Sequence, residues 1–177
     1  MRYVEVRRHS KRVKPGQHLS QAGINLARRV GSSLGPYDRV ITSTIPRAFE
    51  TAIAMGFAVD EQLDQLSEMG DDVDAEIHWA AGFAEFARVI EQGGATARFA
   101  RAQAQTWRSI AMALPDEGGA LLITHGGIIE AGAVACLPRA DHSAWGVACD
   151  YCEGVRLSFN GETFTEAEIL RVESGGD

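Results

Sequence analysis

Apolar and polar positions alternate over residues 3–8, with Val4 and Val6 on one side of a short predicted strand. Residues 11–18 carry lysines, a proline and a glycine and read as a loop. The period then changes. Ile24, Ala27, Val30 and Leu34 form a helical stripe that Ser20 can cap and that Gly31 and Gly35-Pro36 bring to an end. Residues 38–42 predict a second strand. A helix follows from near Ile45, with Ser43 or Thr44 as cap, Pro46 in the first turn and Ala48, Ala52, Met55 and Phe57 as its apolar positions. Val59 starts a further short extended piece.

The middle of the chain is less regular. Residues 62–74 are acidic and without period, which predicts a surface excursion; residues 76–91 read as weakly helical and carry Trp79, Phe83 and Phe86. Those aromatics suit either the roof of a pocket or a small core. After Gly93-Gly94, the positions Phe99, Ala102, Thr106, Ile110 and Ala113 mark a long amphipathic helix. Residues 120–124 are almost continuously apolar, as a strand covered on both faces would be. His125-Gly126-Gly127 ends that strand, and a helix of small residues runs on to Leu137. Residues 145–149 and 155–159 predict strands, and Asn160-Gly161 is a hairpin turn. Phe164 falls on the return, Ile169 and Leu170 on a last short element, and residues 174–177 are expected to fray.

Strands alternating with helices predict an α/β domain of three layers around a mostly parallel central sheet. A chain of 177 residues fits one domain, 1–177, with 62–94 as a short helical cap insertion within it. Composition narrows the function. Apolar residues make up 45%, which excludes disorder, and the net charge of -7 argues against a nucleic-acid partner. The chain opens on Met1-Arg2-Tyr3-Val4 with no leader-like run, and the apolar stretch 120–137 is broken by Thr124, His125 and Glu130. No membrane partner is expected, and a cytoplasmic location is.

The chemistry gathers at strand ends. His9 follows the first strand and His125 the most apolar one, so a parallel sheet would bring both to its carboxyl edge, where ligands bind. Arg47, in the first turn of the helix after the second strand, can reach the same crevice. Arg8, His9, Arg47 and His125 thus form a candidate pocket for a phosphate, whose oxygens match the guanidinium fork. Gly126-Gly127 at a helix start would add backbone N–H groups. With two arginines inward, no metal is required; Arg7 and Arg12 read as solvated charges.

These residues resemble the histidine phosphatase superfamily, the phosphoglycerate mutase-like family. Its opening Arg-His-Gly signature corresponds to Val6-Arg7-Arg8-His9-Ser10, and its next helix begins like Leu19-Ser20-Gln21-Ala22-Gly23. The Ser, Arg-Ala, Thr-Ala pattern corresponds to Ser43, Arg47-Ala48 and Thr51-Ala52; Leu-x-Glu-x-Gly to Leu66-Ser67-Glu68-Met69-Gly70; and the second-histidine signature to residues 122–129. The resemblance implies a metal-independent, cofactor-free phosphatase. His9 would form a phosphohistidine that water hydrolyses, Arg8, Arg47 and His125 would hold the phosphoryl oxygens, and Glu68 would move the leaving-group proton. Asp71, Asp72 and Asp74 are alternatives to Glu68. Substrates would be a small phosphorylated metabolite or a phosphohistidine on a partner protein.

The chain also departs from the family pattern. Ser10 stands where glycine is usual, either contacting phosphate or straining the backbone if φ is positive there; Arg12 is a second additional phosphate-binding candidate. Pro15 replaces an asparagine, and Gly93-Gly94-Ala95-Thr96 lacks the usual acid. The short insertion ranks a phosphoglycerate mutase below a phosphatase. A catalytically weak phosphate- or phosphoprotein-binding module is the alternative from another class. Cys149-Asp150-Tyr151-Cys152, even with Cys136 and His142, does not have the spacing of a zinc site, and there is no Walker lysine or Gly-x-Ser-x-Gly elbow.

Overall fold

In the computed structural model, residues 1–173 are described; residues 174–177, expected to fray, lie outside the described residues. Six strands form one sheet in the order β3-β2-β4-β1-β5-β6. They are β1 (Arg2–Arg8), β2 (Arg39–Thr42), β3 (Glu61–Gln62), β4 (Gly119–Thr124), β5 (Gly154–Phe159) and β6 (Phe164–Leu170). The pairs among β1 to β4 are parallel, whereas β5 is antiparallel to β1 and to β6. The mostly parallel sheet is therefore closed on one side by a hairpin, as Asn160-Gly161 foretells.

Helices cover both faces, giving the three expected layers. Helices α1 (Gln21–Gly31) and α2 (Pro46–Ala54) lie on one face, where Leu26, Ala27, Ala48 and Ala52 pack with Val40, Leu121 and Ile123. On the other face, α4 (Phe83–Glu91), α5 (Ala95–Ala113) and α6 (Ile128–Cys136) bury Phe83, Phe86 and Trp107 against Val4, Val6 and Leu122. Strand β4 is buried at every residue, which is why its sequence carries no alternation. The small residues of α6 have a packing cause: a Cβ on Gly132 would come within 2.2 Å of the Trp107 indole.

Helix α1 is capped as expected, the Ser20 hydroxyl accepting from the Gly23 N–H. The start of α2 differs. Its N-cap is Ile45, without a side-chain cap of its own, and the Ser43 hydroxyl both accepts the Ile45 N–H at 3.3 Å and serves the site described below. Residues 76–82 are not helical: Ala80 has a φ of +66°, and α4 begins only after Gly82. A four-residue helix, α3 (Asp71–Asp74), precedes them. Residues 145–149 are not a strand either. They follow a 3-10 turn, His142–Trp145, and the Cys149 N–H donates to the Glu130 carboxylate instead of to a neighbouring strand. Arg7 is not a solvated charge but a buried one, paired with Glu5 on the α1/α2 face of β1. Among the described residues, no helix is long and apolar enough to cross a membrane.

Candidate active site

Parallel register builds the site. Arg8 pairs with Thr124, and Thr42 pairs with Ile123, so the next residue on each strand, His9, His125 and Ser43, reaches the same carboxyl edge. Backbone bonds extend the ladder there: His9 N–H to Thr124 O at 2.9 Å and Ser43 N–H to Ile123 O at 3.0 Å. The two imidazole rings lie with centroids 5.1 Å apart.

Each ring is held by a different partner. His9 Nδ1 lies 2.7 Å from its neighbour's carbonyl, Ser10 O, which accepts only from an N–H and so places the ring proton on Nδ1. Nε2 is left as a lone pair, and Arg47 Nε donates to it at 3.1 Å. His125 Nε2 meets Ser43 Oγ at 2.7 Å, while its buried Nδ1 has no hydrogen-bond partner. Burial foremost lowers the pKa of His9 to about 3, with the Arg47, Arg8 and Arg12 charges adding to it against the Ser10 hydrogen bond. Burial and the charges of His9, Arg47 and Arg8 take His125 to about 2. Both rings are 5–7% exposed and neutral at ordinary pH.

The arginines flank this pair. Arg8 donates from Nη1 to Cys149 O at 3.0 Å, and its buried Nε has no partner. Arg47 also donates to Gln17 Oε1. Burial and the nearby Arg12 and Arg8 charges lower its pKa, while Tyr151 and Glu68 oppose that shift. Glu68 is exposed on the loop before α3, close enough for its charge to act on Arg47; Asp71, Asp72 and Asp74 lie beyond it on α3. The other candidates are engaged elsewhere. Ser10 is fully buried, outside the positive-φ residues, and donates its hydroxyl to Gly23 O at 2.7 Å while its N–H binds Thr51 Oγ1. Arg12 donates to the carbonyls of Pro15 and Gly16. The Gly127 N–H is not open to a ligand, because the Glu130 carboxylate accepts it at 2.6 Å.

The sequence pattern points to no site role for Gln17 or Tyr151 and offers Ser43 both as a helix cap and as the serine of the family pattern. Tyr151 stands 5.9 Å from the His9 ring and 4.6 Å beneath the Arg8 guanidinium. It sits between two cysteines that drew attention to metal chemistry. Cys136, Cys149 and Cys152 are instead buried free thiols, their pKa values raised by burial. Among the described residues, no three His, Cys, Asp or Glu side chains gather as metal ligands would.

A cleft of about 830 Å³ opens beside Arg8, between residues 69–86 and 147–153. The aromatics of the 76–91 segment divide there: Phe83 and Phe86 are buried, whereas Trp79 stands 80% exposed on the cleft's rim.

Comparison with known proteins gives a consistent picture. The model of the histidine phosphatase superfamily (branch 1) matches residues 7–170. A phosphoserine phosphatase from Entamoeba histolytica, solved with 3-phosphoglyceric acid, superposes with a TM-score of 0.74 at 14% identity, over 98% of both chains. A mycobacterial glucosyl-3-phosphoglycerate phosphatase gives a TM-score of 0.68 at 20% identity, over 96% of this chain and 98% of that one. YhfR of Bacillus stearothermophilus gives 0.66 at 18%, over 100% and 98%. At such identities the likeness shows a shared fold. No curated protein matches the sequence.

Proposed function

The chain belongs to the histidine phosphatase superfamily, and on that footing we propose that it is a metal-independent phosphomonoesterase working through a phosphohistidine on His9. One observation carries the reading. His9 Nε2 is a lone pair held between a ring proton fixed on Ser10 O and the Nε–H of Arg47, with the second imidazole 5.1 Å away. A phosphate entering there would take the Arg47 N–H from Nε2 and free the lone pair for attack.

In the first step the Nε2 lone pair forms a bond to phosphorus and the bond from phosphorus to the ester oxygen breaks. Glu68 gives its proton to that oxygen. Arg8 and Arg47 would balance the charge on the equatorial oxygens, and His125 would hydrogen-bond one of them. In the second step water attacks phosphorus, its proton returns to Glu68, and the P–N bond breaks to release inorganic phosphate. Segment 62–94 would act as the cap over the leaving group, and the size of the cleft favours a small phosphorylated metabolite.

The test is release of phosphate from 1-naphthyl phosphate by the full chain and by His9→Ala. The variant is expected to lose at least about a thousandfold in kcat, as removal of a covalent nucleophile does. Acid-labile, alkali-stable phosphate trapped on the wild-type chain during turnover would identify the intermediate. A His9→Ala rate near wild type would overturn the role of His9.

A further inference from the structure

We propose that the substrate's organic part is aromatic or otherwise apolar and carries no second negative charge, and that it binds in the cleft between residues 69–86 and 147–153. The inference rests on the phosphatase reading and adds the substrate class.

Arg8 joins the two regions. Its guanidinium serves the phosphoryl site and lines the cleft, with its central carbon 4.6 Å from the Tyr151 ring and 5.9 Å from that of Trp79. A leaving group on a phosphoryl bound at His9 would pass Arg8 and arrive at Trp79. Met69, Ile77 and Phe86 line the floor beyond. Trp79 and Val147, one from each segment lining the cleft, are 80% and 75% exposed. Large exposed apolar side chains on both segments that line an open cleft, with no core to serve, are what an apolar ligand would cover.

Charge decides against a second anion. The cleft is lined by the carboxylates Asp74, Asp150 and Glu153. Its cations besides Arg8 are already engaged. Arg171 binds Glu153 and the carbonyls of Trp145, Val147 and Ala148, and His78 Nδ1 lies 2.9 Å from the Glu85 carboxylate. Among the described lining residues no cation is left to meet a carboxylate or second phosphate, which would instead face aspartates. Desolvating an unpaired anion there is unfavourable. A neutral ring meets Trp79 and the apolar floor without that penalty.

The experiment compares kcat/KM of the full chain for 1-naphthyl phosphate and for 3-phosphoglycerate at fixed ionic strength. The aromatic ester is expected to be favoured by about tenfold or more, from ring contact together with the missing cation. Trp79→Ala should raise KM for 1-naphthyl phosphate about fivefold to tenfold. Asp74→Arg should shift preference toward 3-phosphoglycerate. Calorimetric binding of both esters to His9→Ala should keep the same order. Equal or better turnover of 3-phosphoglycerate by the wild-type chain would overturn the cleft assignment and leave the phosphatase reading standing. No turnover of either ester, with 1-naphthyl phosphate still bound preferentially, would overturn the phosphatase reading and uphold the cleft. Neither turned over nor bound would overturn both.

Discussion

His9 and His125 are neutral for the same reason that they are buried side by side between arginines, and this has a consequence for stability. Their folded-state pKa values, about 3 and about 2, lie below the 6.5 of a free imidazole. As pH falls below 6.5 the unfolded chain therefore binds protons that the folded chain refuses, so folding stability falls with pH through this window. At pH 5.5 each ring should account for a loss of roughly 1.4 kcal/mol relative to pH 7.5. Urea unfolding in phosphate-free buffer checks this: His125→Asn should remove about half of the two-ring difference, and an unchanged pH dependence would refute the assignment. For catalysis the same shift means that protonation of His9 does not set the acid limb of kcat/KM above about pH 4. The four basic residues were legible in the sequence because each ends or follows a strand or opens a helix, positions that parallel register gathers at one edge. Ser43, one residue past β2, was legible by the same register; Gln17 and Tyr151 were not. Their roles depend on side-chain reach across elements, which no spacing encodes.

Individual elements show where propensity yields to packing. Gly23 occupies the third residue of α1, where alanine would ordinarily favour the helix by about 1 kcal/mol. Here a Cβ would sit 1.9 Å from Lys11 O, and Gly23 O accepts the Ser10 hydroxyl next to His9. Gly23→Ala is therefore expected to destabilise the fold by about 1–3 kcal/mol, despite its propensity, and to lower kcat by moving the loop that holds His9. Thermal unfolding and initial rates together test it; a stabilised, fully active variant would refute the close contact as a constraint. The long segments α1, α5 and β4 were readable as elements for the converse reason, that their apolar content suits burial; the face α5 buries, with Ala97, Ala100, Gln103, Trp107 and Ala111, is rotated from the predicted stripe, of which Ala102 and Ala113 are exposed. Residues 145–149 misled because an alternating apolar run there is spent on anchoring a loop, with Cys149 N–H bound to Glu130 across 19 positions of sequence. The 76–82 stretch misled because the positive φ of Ala80 and the cap at Gly82 interrupt a composition that is otherwise helical.

At the scale of the molecule, the site depends on a charged cluster built into the central strand. Glu5 is fully buried and pairs with Arg7 at 2.5 Å on its own strand and with Arg156 at 2.7 Å on β5. Arg7 also donates to Cys152 O at 2.7 Å, tying the sheet to the loop that carries Tyr151 beneath Arg8. A binary pattern reads such a strand as half exposed, which is why the sequence alone points to Arg7 as a solvated charge. Glu5→Ala would leave the guanidinium of Arg7 buried without its counter-ion and should cost about 3–5 kcal/mol. Replacing all three charges, as Glu5→Leu with Arg7→Met and Arg156→Met, removes the unpaired charge as well and should recover most of that stability. Stability and activity are then expected to separate: the apolar triple variant, although refolded, lacks the bond to Cys152 O and should turn over substrate more slowly, with the change carried by kcat. Full activity in that variant would mean that the cluster serves the fold alone; a single-variant loss below about 1 kcal/mol would place Arg7 within reach of water after all.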